Sequence, residues 1–287
     1  MRSAVIVTAT AAAVVAGGLV AAPAQALTTP SITALSGYVK NSGTGTTLYW
    51  KGADTRRLTG STTKIMTAKV VLKQSNLNLD AKVTIQKAYS DYVVAKGGSS
   101  ARLVVGDKVT VRQLLFAMML PSGCDAAYAL ADKFGTGTTR AARVKSFIGK
   151  MNSEAKNMGL KNTWFDSFDG ISNGNNFSSA KDLTLIARSA MNNSSFRYIV
   201  KLKSTTQKVT TSSGGYRYMY WTNTNKLLST YSGAIGVKTG SGASAKYCLV
   251  FAATRNGKTI IGAVLASASA TDRANDAKKL LDYGFAK

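Results

Sequence analysis

Leu58-Thr-Gly60-Ser61-Thr-Thr-Lys64-Ile-Met-Thr67 couples a serine to a lysine three residues on, behind a glycine and ahead of an apolar run. A serine hydroxyl is a weak nucleophile and needs a base beside it. The chain contains no histidine, so every Ser-His-Asp arrangement is excluded and a lysine amine is the remaining candidate. Residues three apart on a helix lie on one face, which puts Lys64 beside Ser61. Ser-x-x-Lys alone is a weak signal, because Ser153/Lys156 and Ser178/Lys181 repeat it. Context sets Ser61 apart. The run Ile65–Leu72 is interrupted only by Thr67 and Lys69, which predicts a largely buried helix. A serine at its start gains from the helix dipole and keeps a free N–H for an oxyanion. The plainer alternative makes Ser61 an N-cap and Lys64 a surface lysine.

Two clusters farther along strengthen the first reading. Ser122-Gly-Cys124-Asp125 follows Pro121 between two apolar segments. There Ser122 can relay a proton between Lys64 and a leaving amine, or Ser122 or Asp125 can simply cap a helix over 126–134. A thiol is a weak donor and acceptor, so Cys124 is expected to shape a cleft or merely to pack. Lys238-Thr239-Gly240-Ser241 reads as the end of a strand. A lysine and a hydroxyl there suit a free carboxylate, and the glycine lets a substrate backbone approach. The alternative is an ordinary edge-strand lysine before a turn.

Around these clusters the chain reads as strands, a helical block, then strands. Ser36–Asn41 and Thr46–Lys51 flank a turn-rich Ser42-Gly-Thr-Gly45, predicting a hairpin. Apolar runs at Tyr247–Thr254 and Thr259–Ala266 join through Asn256-Gly257, a strong hairpin signal. Their continuity implies burial on both faces. Gly233–Lys238 reads as a third strand, turning through 240–242, and Thr271–Tyr283 as a closing helix. Between the ends, Val111–Met119, Asp125–Phe134, Thr139–Met158 and Ser179–Met191 have helical composition, and Tyr216–Trp221 a small hairpin. The expected division is a sheet lobe from 27–90 and 200–287 and a helical lobe from 91–199, with a site in the cleft between them.

Residues 1–26 read as a secretory leader: Arg2 is the only charge, an apolar run follows, and Ala24-Gln25-Ala26 fits a cleavage site. The expectation is an exported protein at the cell wall or the outer face of the cytoplasmic membrane. Lys and Arg number 37 against 13 Asp and Glu, a formal +24, which implies an anionic neighbour. The lysines are scattered and form no basic tract, so wall polymers or a membrane surface fit better than nucleic acid. Two cysteines, Cys124 and Cys248, can pair, but their settings favour free thiols. No metal or cofactor is implied.

The ordered set Ser61-x-x-Lys64, Ser122-x-Cys124, Lys238-Thr-Gly240 resembles the signature of penicillin-binding proteins and class A β-lactamases. Leu58–Thr67 resembles the nucleophile segment of the low-molecular-mass penicillin-binding DD-peptidases. Gly106–Thr110, Ser122–Ala127, Phe147–Asn152, Asn223–Leu228, Gly236–Gly240 and Tyr247–Val250 resemble other segments of that family. The resemblance implies an α/β (α+β) fold, a five-stranded antiparallel sheet flanked by helices beside an all-helical lobe. It implies peptidoglycan stem peptides ending in D-Ala-D-Ala as substrate and β-lactams as acylating inhibitors. By the same likeness Ser61 is the acylated residue, Lys64 its base and Ser122 a proton relay. Cys124, Lys238, Thr239, Gly240 and Ser241 then bind substrate, with the N–H groups of Ser61 and Ser241 forming the oxyanion site. The reaction is transpeptidation, with hydrolysis of the same acyl-enzyme or a non-catalytic wall binder as alternatives. One departure stands out: the usual Ser-x-Asn has become Ser-Gly-Cys124. A β-lactamase is disfavoured, since class A enzymes deacylate with a glutamate and the sole glutamate here, Glu154, is remote in sequence.

Overall fold

A computed structural model describes residues 1, 3–6, 8, 27–171 and 174–287. The expected leader, with its cleavage after Ala26, lies almost wholly outside the described residues. In chain order the elements begin with β1 (Ser36–Asn41) and β2 (Thr47–Lys51). A 3-10 turn (Gly60–Thr63) then leads directly into α1 (Lys64–Leu72). Next come β3 (Lys82–Thr84), α2 (Lys87–Lys96), β4 (Lys108–Thr110), α3 (Val111–Met119), α4 (Cys124–Phe134), α5 (Arg140–Asn157), α6 (Ala180–Ala190) and α7 (Ser194–Lys201). The chain closes with β5 (Ser204–Thr210), β6 (Tyr216–Thr222), α8 (Leu227–Thr230), β7 (Ala234–Gly242), β8 (Lys246–Arg255), β9 (Lys258–Ser267) and α9 (Ala270–Ala286).

Both ends of the chain build one antiparallel sheet in the order β2-β1-β9-β8-β7. The mixed α/β architecture expected from the sequence is the one observed. Strands β8 and β9 alternate between two cores, which explains their unbroken hydrophobicity. Val250, Ala252, Ile261, Ala263 and Leu265 face the helical block with Ile65, Met66 and Val71 of α1. Leu249, Phe251, Ile260 and Val264 face α9 through Ala277, Leu280 and Leu281. Asn256 and Gly257, both at positive φ (48° and 74°), make the tight turn between these strands. Asp276 on α9 accepts hydrogen bonds from the Thr33 and Ala34 amides at 3.0 and 2.8 Å, fastening the segment before β1 to the last helix.

The helical block is not purely helical. Segments 82–84 and 204–222, assigned from sequence to the sheet lobe, form with β4 a second sheet of order β3-β4-β5-β6. Its strands bury Val83, Val109, Val209 and Trp221 against the helices and turn the intervening residues outward. That one-sided pattern suits a sheet packed on a single face, unlike the continuous runs of β8 and β9. Tyr216–Trp221 is therefore one strand of a hairpin with β5. Strand β7 is longer than expected and runs through Gly240 to Gly242, so the predicted turn lies beyond it. Both cysteines are free and buried.

Candidate active site

Ser61 sits in the 3-10 turn and Lys64 opens α1. Three residues per turn eclipse side chains at i and i+3, and the lysine amine lies 2.8 Å from the serine Oγ. Lys64 is wholly buried. Its Nζ also reaches the Asp169 carbonyl oxygen at 3.1 Å and Cys124 Sγ at 3.3 Å. The Ser61 hydroxyl carries a proton that it can yield to the amine, which the Asp169 carbonyl cannot.

Strand β7 is an edge of the large sheet and packs on the Ser61 turn. Two glycines permit that approach. A Cβ on Gly240 would lie 2.5 Å from the Thr59 carbonyl oxygen, and one on Gly60 (φ +49°) 2.9 Å from the Ser241 amide nitrogen. The backbone around Ser61 and the Ser241 amide are therefore held together, as two oxyanion donors require. Lys238 is buried on the same strand and donates to the Thr239 carbonyl at 3.1 Å. Burial holds its amine well below the ordinary lysine range, and the nearby Lys64 and Arg273 charges add to this. The Thr239 hydroxyl lies 2.6 Å from that of Thr224. Arg273 of α9 donates to the Gly240 and Cys248 carbonyls at 3.0 and 3.2 Å, bracing β7 from behind.

The second cluster behaves differently from expectation. Ser122 Oγ is buried without a hydrogen-bond partner, so the relay contact to Lys64 is not made in this structure. Ser122 lies at φ +70°, and the position beside the amine belongs to Cys124. Neither Ser122 nor Asp125 caps α4, whose N-cap is Gly123. Asp125 instead accepts from the Ala101 and Leu103 amides at 2.9 and 3.2 Å, fixing the 99–103 loop. Cys124 does more than pack, because it touches the Lys64 amine itself. Burial pushes its thiol up to about 11 although Lys64 pulls the other way, so it stays protonated near neutral pH.

Ser61, Cys124, the 96–99 segment, Gly170–Ile171 and residues 241–245 at the end of β7 line a cleft of about 380 Å³. Sequence reasoning missed Asp169, whose contribution is a backbone carbonyl. Its carboxylate is held by the Tyr92 hydroxyl at 3.1 Å and the Ile171 amide at 2.9 Å. Only the Asp169-Gly170 turn signal pointed there. Thr224 and Arg273 were missed as well. Glu154 lies outside the cleft lining, paired with Lys69 at 3.1 Å and Lys73 at 2.6 Å.

The D-alanyl-D-alanine carboxypeptidase family profile matches residues 23–269. The chain belongs to this family. A D-alanyl-D-alanine carboxypeptidase of Streptomyces sp. strain K15 is 68% identical over 286 residues, covering 99% of this chain and 98% of that protein. The solved structure of the Streptomyces K15 DD-transpeptidase superposes with a TM-score of 0.90 at 72% identity, covering 91% of this chain and all of that one. A carboxypeptidase of the same family, DacA of Escherichia coli, is 35% identical over 263 residues, which are 89% of this chain but 62% of that protein. The chain is thus a serine-type D-Ala-D-Ala peptidase, similar to the Streptomyces K15 enzyme.

Proposed function

We propose that the chain is exported and cross-links peptidoglycan stem peptides through an acyl-enzyme on Ser61. The Ser61 hydroxyl attacks the carbonyl between the two D-alanines while Lys64 takes its proton. The oxyanion rests on the N–H groups of Ser61 and Ser241. Collapse of the tetrahedral adduct breaks the peptide bond and expels D-alanine as its amine takes up a proton. Lys238 and Thr239 hold the terminal carboxylate, which supplies the counter-charge the buried Lys238 lacks. Ser122 reaches the leaving amine once substrate fills the cleft and its unpartnered hydroxyl turns to it. An acceptor amine then attacks the ester and restores Ser61; water gives a trimmed peptide instead. β-Lactams acylate the same serine. The basic surface keeps the protein near anionic wall polymers or the membrane face.

The contact that carries this reading is the 2.8 Å approach of the buried Lys64 amine to Ser61 Oγ. The test is incubation with a diacyl D-Ala-D-Ala peptide, with and without glycine-type amines. Free D-alanine with acceptor-linked product supports transpeptidation, and trimmed peptide under both conditions supports hydrolysis. After benzylpenicillin, mass spectrometry should find the adduct on the peptide containing Ser61. An adduct on Ser122 or Ser153 would overturn the assignment.

A further inference from the structure

The four-stranded sheet turns a second face to solvent, and its composition is unusual. Tyr216, Tyr218 and Tyr220 occupy alternate positions of β6 and are 60–66% exposed. Across the ladder stand Thr210, Lys208 and Thr206. Lys108 on β4 pairs with Thr210, and Lys82 on β3 reaches the Thr210 hydroxyl at 3.4 Å. Three tyrosines and three lysines therefore share one face. No residue of the four strands is acidic. The Lys208 ammonium lies 3.9 Å above the Tyr216 ring, and Tyr216 meets Tyr218 edge to face at 5.7 Å. A single exposed aromatic residue needs no explanation, but a contiguous row does.

The strand that carries the row ends near the segments that hold Cys124 and Thr239. The row spans about 13 Å at strand spacing, running toward the C-terminal end of β6. There Trp221 donates to the Ala101 carbonyl at 2.9 Å, and the Ala101 amide is bound by Asp125, next to Cys124. Two residues past the strand, Thr224 touches Thr239.

We propose that this face is a binding track for an acidic glycan strand, the polymer that carries the stem peptides. Tyrosine rings offer flat, hydroxyl-edged surfaces to sugar rings, and the lysines meet the carboxylate groups borne along the polymer. The inference rests on the substrate reading above. A lipid surface fits less well. Membrane-surface binding is carried by an apolar face that inserts at the headgroup boundary, whereas the outward positions of this flat sheet hold tyrosine, lysine and threonine.

The test compares the parent with Y216A/Y218A/Y220A and K82Q/K108Q/K208Q, none of which alters the cleft. Each is measured for binding to peptide-stripped wall glycan strands, for binding to anionic phospholipid vesicles, and for benzylpenicillin acylation. Both variants should bind glycan at least tenfold more weakly, with acylation unchanged, and the lysine variant should lose much of the salt dependence. Unchanged glycan binding by both variants, or a loss confined to vesicles, would overturn the track. If the parent fails to process a D-Ala-D-Ala peptide yet binds glycan through these tyrosines, the substrate reading fails while the track stands.

Discussion

Lys238 places an amine in a fully buried position near two other basic side chains, Lys64 and Arg273. Burying a charge without a counter-ion is costly, so the site trades stability for a carboxylate receptor. Lys238→Met keeps the stem and deletes the charge. It should raise stability by about 1 kcal/mol, roughly 2–4 °C in Tm, while D-Ala-D-Ala peptide turnover falls steeply. The pH dependence has a definite sign. A lysine whose folded pKa is depressed leaves the unfolded chain binding more protons between the two values, so stability rises with pH there. The variant's advantage should be greatest below the depressed value and disappear as pH approaches the ordinary lysine range. Calorimetry across that range would reject the idea if the parent were the more stable at neutral pH. Cys124 sits on the other side of the base. Its thiol is protonated and offers Lys64 one weak contact among three, so Cys124→Ala should retain penicillin acylation within about tenfold. Complete loss of acylation in a folded variant would make the thiol essential.

At the level of elements, catalysis depends on the edge strand β7 closing on the Ser61 turn. Gly240→Ala would drive a methyl to 2.5 Å from the Thr59 carbonyl and 3.0 Å from Thr62, prising the two segments apart. Acylation should drop by about a hundredfold or more, the scale for misplaced oxyanion donors, with far-UV circular dichroism retained. Parental acylation rates would mean the close approach is dispensable. How legible each element was depended on its pattern. Strands β1, β2, β8 and β9 announced themselves through turn residues and apolar continuity, as did α3, matched residue for residue. Strands β3 and β4 have three residues each in polar surroundings, too short for any periodicity. Helix α2 buries only Tyr89 and Val93, which leaves almost no amphipathic trace. The same logic governs the site. Ser61, Lys64 and Lys238 were readable because their chemistry lies in the side chain. Asp169 acts on Lys64 through a carbonyl, and Arg273 acts on carbonyls, so residue type alone carried little signal for either. The contact of Cys124 with Lys64 needed the three-dimensional path of α4.

On the scale of the whole molecule, 13 acidic residues must serve 37 basic ones, so the buried carboxylates carry unusual weight. Asp132 of α4 accepts from Arg143 at 2.6 Å, Tyr89 at 2.7 Å and Arg140 at 3.2 Å, joining α2, α4 and α5. Glu154 of α5 holds Lys69 and Lys73, and so fixes the end of α1 opposite to Lys64. Burial alone would raise both carboxyls, but the hydrogen bonds from their basic partners outweigh it and hold them low. A depressed carboxylate stabilises the fold above its unfolded pKa, and that contribution is lost as pH falls through the folded value. The helical block should therefore be the acid-sensitive part of the molecule. Glu154→Gln leaves Lys69, nearly buried, without its counter-charge. The expected cost is about 1–2 kcal/mol at neutral pH, discounted for the exposure of Lys73. Because the missing interaction is one the parent also loses in acid, the gap in Tm between parent and variant should narrow from pH 7 to about pH 3. Penicillin acylation at neutral pH should change little, since Glu154 lies outside the cleft. A gap that stays constant down to pH 3 would mean that Glu154 contributes through packing rather than charge, and faster penicillin acyl-enzyme decay in the parent than in the variant would return the glutamate to the chemistry.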